Sequence, residues 1–241
     1  MSTYRIIAAQ IIEALGYLHS QGVVYGDLKA ENVLVNQYGV LKLGDFNLSA
    51  TSSLLDNKIQ GTISYIAPEV LIQNRRSEKS DWWALGVLLH YLFYGTYPFR
   101  TKNQAEMLVN IYTKSVAEEQ VDNKAPPVFR SFILALLEKD PKKRLGDNIF
   151  QIKKHPFFKD FDWKGYAYDQ SNFEYAQHLT SQCLEGSPVR SMGQANPDWS
   201  LSDSNSKKFY YNIENFTYDN QEELQTKTSF IVPARRGGNY S

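Results

Sequence analysis

The first twenty-two residues place Ile7, Ala8, Ile11, Ile12, Leu15 and Leu18 at the three- and four-residue spacing of one helical face. Gly22, after His19-Ser20-Gln21, supplies a stop, so the pattern predicts an amphipathic helix. Two short apolar runs follow, Val33-Leu34-Val35 and Val40-Leu41-Lys42-Leu43, flanking a turn at Asn36 to Gly39, which predicts a β-hairpin. From Trp82 to Phe99 (WWALGVLLHYLFYGTYPF) the chain is apolar all round, with Ser80-Asp81 expected to cap its start and His90, Gly95 and Pro98 to interrupt it. Those interruptions predict a helix buried in a protein core rather than one crossing a bilayer. Leu134 to Gly146 (LALLEKDPKKRLG) and His155-Pro156-Phe157-Phe158 close the helical region. Beyond Lys159 the periodicity fades into Ser, Asn, Gln, Asp and Tyr, which predicts an extended, partly disordered tail. The fold class expected from these patterns is mainly α with short β-hairpins, followed by that tail.

Composition narrows the function classes. With 42% hydrophobic residues in 241, the chain can bury a substantial core. Lysine plus arginine equals aspartate plus glutamate at 26 each, so no net field draws the molecule to nucleic acid or to an anionic membrane. Neither is expected as a partner. Cys183 is the only cysteine, which excludes an intramolecular disulfide framework and a four-cysteine zinc site and fits a reducing, cytoplasmic location. The N-terminal segment is broken by Gln10 and Glu13 and has no small-residue cleavage site, so it reads as a helix and not as a signal peptide.

The densest chemistry lies in Val24 to Asn32, VYGDLKAEN. Phosphoryl transfer needs an aspartate to orient the attacking hydroxyl, a lysine to neutralise the moving phosphoryl group, and an amide plus a second carboxylate to hold Mg²⁺. Asp27, Lys29, Asn32 and the later Asp45 are residues of those kinds in that order. Gly61-Thr62, Ala67-Pro68-Glu69 and Asp81-Trp82-Trp83 follow in turn.

In this order of motifs the sequence resembles a protein kinase, with an HRDLxxxN-like loop followed by a DFG-like turn and an intact APE. The resemblance implies Asp27 as the catalytic aspartate, Lys29 as the phosphate-contacting lysine, and Asn32 and Asp45 as magnesium ligands, with ATP and Mg²⁺ as cofactors and a protein as substrate. Asp81-Trp82-Trp83-Ala84-Leu85-Gly86-Val87, Lys143-Arg144-Leu145-Gly146 and Asp162-Trp163 resemble the AGC group of serine/threonine kinases in particular. The tail agrees, since Asn172-Phe173-Glu174 resembles that group's tether. Ile213 to Tyr218 resembles its hydrophobic motif, with Phe216 beside a phosphorylatable Thr217. The likeness runs from about Tyr4 to Trp163 and more loosely beyond. It implies residues 1–158 as a kinase large lobe and residues 159–241 as an AGC-type tail. It also implies a structural ion pair between Glu69 and Arg144, an Asp81 carboxylate supporting the catalytic loop, a Thr62 hydroxyl bridging Asp27 and Lys29, and a Glu31 carboxylate receiving a substrate arginine. The usual partner of that glutamate falls on Tyr91.

Several positions depart from the family pattern. No Gly-x-Gly-x-x-Gly occurs in the sequence and its first lysine is Lys29, so the ATP-gripping small lobe is expected to be absent from this chain. The residue before the catalytic aspartate, ordinarily an arginine that receives a loop phosphothreonine, is Gly26. The second basic partner falls on Ala50 and the phosphate acceptor on Lys58, so the activation clamp is expected to be lost as a unit, with no cation at position 26. DFG becomes Asp45-Phe46-Asn47, where asparagine is expected to tolerate the positive φ of the turn. Two functions fit: a serine/threonine kinase lineage whose large lobe alone is inactive, or a non-catalytic pseudokinase fragment that binds proteins. The hydrophobic motif is expected to seek a small-lobe pocket on another kinase.

Overall fold

A computed structural model describes residues 1–36, 39–51, 62–116, 125–165 and 210–212. Helix α1, Ser2–Ser20, lays Tyr4, Ile7, Ala8, Ile11, Ile12 and Leu15 into the core along the face that the apolar spacing marks. Gln10 on the same helix clasps the hairpin that follows: its side-chain amide donates to the Gly39 carbonyl at 3.2 Å and its oxygen accepts from the Leu41 N–H at 2.8 Å. A polar residue of this amphipathic helix thus satisfies two turn groups that would otherwise lack partners.

The strands are short and form two sheets. Strand β1, Val23–Val24, pairs antiparallel with β4, Ala50–Thr51. Strand β2, Val33–Asn36, pairs antiparallel with β3, Leu41–Leu43, with Val33 opposite Leu43 and Val35 opposite Leu41. On the other edge of β2 lies β5, Tyr210–Asn212, with Leu34 opposite Asn212 and Asn36 opposite Tyr210. This short strand adds a pairing that the tail's composition does not announce, since an open strand edge is a row of unpaired N–H and C=O groups that readily takes another strand. The AGC-like tail motifs at residues 172–174 and 213–218, with Phe216 and Thr217, lie outside the described residues, as does Lys58.

The remaining helices are α2, Pro68–Gln73; α3, Glu78–Tyr94; α4, Gln104–Thr113; α5, Pro127–Leu136; and α6, Ile149–Lys153. Helix α3 is the axis of the core, buried on nearly all sides from Ser80 to Phe93. It runs so close to α5 that a Cβ at Gly86 would come within 2.9 Å of the Leu136 Cβ, so only glycine permits this crossing. Its cap differs from the expected Ser80-Asp81. Ser77 is the N-cap and forms a capping box with Ser80, the Ser77 N–H donating to the Ser80 hydroxyl at 3.0 Å. Asp81 is spent elsewhere, as described below. His90 does not interrupt the helix either: it is buried, with Nδ1 bonded to the Thr96 carbonyl at 2.8 Å, and the helix continues to Tyr94. Among the described residues no helix is long and apolar enough to cross a membrane.

Beneath α3, Trp83 stacks on Phe99 with ring centroids 5.6 Å apart, and the Lys139 ammonium lies 4.0 Å from the Phe99 centroid. Lys139 also donates to the carbonyls of Asn110 and Ile111, tying the end of α4 to the segment after α5. Burial, together with the nearby Arg144 charge, pulls its pKa down from 10.5 to about 8 despite these contacts. Between those two values the unfolded chain holds the extra proton, so this group makes stability rise with pH across the window, while below it both states are protonated. Chemical denaturation at pH 7.5 and pH 9.5 should therefore show the wild type gaining stability relative to Lys139→Met. A constant difference between the two proteins would contradict the shift.

Candidate active site

The loop from Tyr25 to Asn32 leaves β1 and is held from below by one carboxylate. Asp81, 1% exposed on the first turns of α3, accepts the Tyr25 N–H at 2.9 Å on Oδ2 and the Gly26 N–H at 2.8 Å on Oδ1. His19 at the end of α1 approaches the same carboxylate through Nε2, at 2.8 Å. Three partners thus compensate a carboxylate that is otherwise removed from water.

Asp27 is buried beside this anchor. Its Oδ2 accepts from Lys29 Nζ at 2.9 Å and from Asn32 Nδ2 at 2.8 Å, and the same Asn32 amide donates to the Asp27 carbonyl at 2.9 Å. The loop closes on itself through these contacts, and the 3-10 turn Ala30–Asn32 delivers Asn32 to them. Tyr65 accepts the Ala30 N–H at 3.3 Å, and burial of its phenol next to Tyr97 raises its pKa far above the usual tyrosine range. Thr62 lines the same small cavity as Asp27 but makes no hydrogen bond to Asp27 or Lys29, which bond each other directly. Glu31 is exposed, and Tyr91, at the position expected for its partner, stacks on Tyr97 with centroids 4.8 Å apart.

The turn carrying Asp45 is fixed by the same strand. The Gly44 N–H donates to the Asn32 carbonyl at 2.8 Å, so Asp45 follows one residue beyond a direct tie to Asn32. The Tyr25 hydroxyl donates to the Gly44 carbonyl, and Ser49 Oγ donates to the Tyr25 carbonyl at 2.9 Å. Burial and the surrounding carboxylates Asp27, Asp45 and Asp81 keep the Tyr25 phenol protonated well above the ordinary range. The residue with positive φ in Asp45-Phe46-Asn47 is Asp45, at 48°, and not Asn47 as expected. Its Oδ1 accepts the Asn47 N–H at 3.3 Å, an Asx-type turn in which a short acidic side chain tolerates the left-handed conformation.

Gly26 and Ala50 of the expected lost clamp lie where the sequence puts them, with Ala50 in β4 opposite Val24, and a cation from another segment lies beside Gly26. Arg76, just before α3, fills the space beside the glycine. A Cβ built at Gly26 would lie 3.1 Å from Arg76 Nη1. Nothing local in the sequence signals this, because Asn74-Arg75-Arg76-Ser77 reads as an ordinary charged loop.

Further from the loop, Glu69 and Arg144 make a bidentate pair, Nη1 to Oε1 at 2.6 Å and Nη2 to Oε2 at 2.8 Å. The guanidinium also donates to the carbonyls of Glu138, Lys79 and Lys139, so all five of its N–H groups are used in a fully buried position.

Comparison with known sequences agrees with this arrangement. A family model described as protein kinase domain matches residues 1–158. The chain belongs to that family. Similar proteins include the serine/threonine-protein kinase Sgk1 of Rattus norvegicus, 41% identical over 164 residues, which are 66% of this chain and 37% of that protein. Sgk1 of Homo sapiens is 41% identical over 170 residues, again 66% of this chain and 37% of the relative. The RAC serine/threonine-protein kinase of Drosophila melanogaster is 38% identical over 166 residues, 66% of this chain and 26% of that protein. These relatives place the kinase chain in the AGC group, and it spans well under half the length of each. As an acceptor set for a hard cation, the Asn32 amide and Asp45 carboxylate offer oxygen donors. Among the described residues no cluster of three acidic, His or Cys groups is present. Magnesium is commonly held by one or two protein oxygens with phosphate and water supplying the rest, so this donor set fits it.

Truncating one partner of a buried charge pair leaves the other uncompensated. Arg144→Met is therefore expected to destabilise the domain by about 3–5 kcal/mol in urea denaturation. The double variant Glu69→Leu/Arg144→Met should lose less than the two single losses added together; strict additivity would mean the two side chains are not coupled.

Proposed function

We propose that the chain is the large lobe and tail of an ATP-dependent AGC-type serine/threonine kinase, with residues 1–158 carrying the chemistry and residues 159–241 the tail. The observation that carries this reading is the junction of Asp27, Lys29 and Asn32 on one carboxylate oxygen, with Asp45 adjoining through the Gly44–Asn32 backbone bond. Lys29 and Asn32 both bind Oδ2 of Asp27, which leaves Oδ1 to accept the hydrogen bond of a substrate serine or threonine hydroxyl and orient it for attack. As the hydroxyl oxygen bonds to the γ-phosphorus, the bond from that phosphorus to the β,γ-bridging oxygen breaks, ADP leaves with the electron pair, and the hydroxyl proton passes to the Asp27 carboxylate. Lys29 is placed to turn from Asp27 toward the transferring phosphoryl group and offset its charge. Asn32 and Asp45 are the residues that would hold Mg²⁺, which would supply positive charge to offset that of the phosphates. Glu31, exposed at the rim, suits a basic residue in the protein substrate. A cytoplasmic location fits the single cysteine.

Because the 241-residue sequence contains no glycine-rich phosphate loop, the chain by itself should bind Mg-ATP only at about millimolar Kd or weaker, near −4 kcal/mol. Isothermal titration reads this directly, and micromolar binding would show that these residues alone form the nucleotide site. In protein expressed from the complete gene, Asp27→Asn should lower kcat toward a basic serine peptide by roughly 10²- to 10⁴-fold with little change in KM or Tm. Undiminished transfer by that variant would remove Asp27 from the mechanism. If the wild type transfers no phosphate at saturating Mg-ATP, the protein-binding pseudokinase reading takes its place.

A further inference from the structure

The corner between α2 and α3 contributes two opposite charges to the Tyr25–Asn32 loop. Asp81 takes the N–H groups of Tyr25 and Gly26 from below. Arg76, five residues earlier and half-buried, comes in from the side. Its Nη1 donates to the Leu48 carbonyl at 3.3 Å, three residues past Asp45, and its charge is attracted by the carboxylates of Asp27 and Asp81, which offset part of the loss caused by burial. A side chain at position 26 would press on the guanidinium where it lies. Gly26 sits at φ 77°, and an added Cβ would crowd both Arg76 Nη1 at 3.1 Å and Arg76 Cδ at 3.2 Å, as well as the Leu48 carbonyl at 3.1 Å. Gly26, Asp27, Arg76 and Asp81 all line one small, partly open cavity with about 30 Å³ of space for water. Arg76 therefore bridges three parts of the site: the loop bearing Asp27, the segment following Asp45, and the first turn of α3.

We propose that Arg76 is the positioning cation of this site, and that positions 26 and 76 are two alternative entries to a single guanidinium place. Glycine at 26 is then required by Arg76 and is not merely the mark of a discarded function. Arg76 touches no reacting atom. It fixes the distance between the Asp27 loop and the Asp45 turn by holding the Leu48 carbonyl against Gly26 while its charge balances two buried carboxylates. The inference deepens the kinase reading above, since it concerns how the proposed general base and metal ligand are kept in register. Its physical content, however, is a contact that can be read without nucleotide.

Hydrogen exchange followed by mass spectrometry on the full chain tests it. Arg76→Ala should speed exchange in peptides covering Tyr25–Gly26 and Phe46–Ala50 by about tenfold or more, as expected for loss of a charge-assisted bond, with α1 and α5 unchanged. Arg76→Lys should recover most of the protection, whereas Arg76→Gln, of similar reach but uncharged, should not. Gly26→Arg in the presence of Arg76 should loosen the same peptides beyond a Gly26→Ala control, because two guanidinium groups compete for one place. Combining Gly26→Arg with Arg76→Ala should bring protection back. Unchanged exchange at Phe46–Ala50 in Arg76→Ala, equal protection by Lys and Gln, or a double variant looser than both singles would each overturn the proposal. If Arg76→Ala does not fold, the Lys and Gln variants decide the matter between them. None of these readouts depends on phosphate transfer, so failure here and failure of the kinase reading are separate results.

Discussion

Asp81 is the carboxylate around which the site is organised. It projects from the first turns of the most buried helix, and its two oxygens take the backbone N–H groups of consecutive residues, Tyr25 and Gly26. A carboxylate in that position is expensive to bury, and its position is tolerated because backbone and His19 donors replace its water. The stiffness of α3 is thereby passed to the loop. Asp27 inherits a fixed origin from the residue before it, and Lys29 and Asn32 converge on it from a defined direction. The Asp45 turn is then hung from the same strand by Gly44, through Asn32 and Tyr25.

A second buried charge system braces the other side of the corner. Glu69 on α2 and Arg144 beyond α5 are joined at both oxygens, and Arg144 collects three further carbonyls, including that of Lys79 on the first turn of α3. Lys79 in turn donates to the Arg144 carbonyl at 2.6 Å and to Asp147 at 2.6 Å. Helices α2 and α3 are therefore locked to the lower part of the domain on one face while Asp81 and Arg76 grip the loop on the other. The intervening Ser77 cap needs only a local hydroxyl pair, since its neighbours carry the long-range ties.

Much of this is legible in the chain because it is encoded at short range. The apolar face of α1 follows from a 3.6-residue period, and the β2–β3 hairpin from two apolar runs around a turn. Asp27, Lys29 and Asn32 fall within six residues, so any compact loop brings them near one another. What the sequence does not display are contacts whose partners lie far apart. Arg76 and Gly26 are fifty positions distant, and neither is unusual among its own neighbours. The same holds for β5, whose pairing with β2 depends on an open edge and not on the composition of the tail. The cap of α3 falls on Ser77 for a related reason: Asp81 is a good capping residue by type, but its carboxylate is taken by Tyr25 and Gly26 from across the fold.

Gln10 has a consequence for how the molecule assembles. Its clasp on Leu41 closes a loop of 31 residues, whereas Asp81 reaches back 56 to Tyr25 and Arg144 reaches back 75 to Glu69. Chain closure becomes slower and entropically less favourable as the enclosed segment lengthens. The N-terminal helix and its hairpin can thus meet first, across the shortest of these closures. Helix α3 has to be joined across a longer segment before Asp81 can take the N–H groups of Tyr25 and Gly26. The placement of Asp27 thus rests on a contact that spans more of the chain than the one joining α1 to its hairpin.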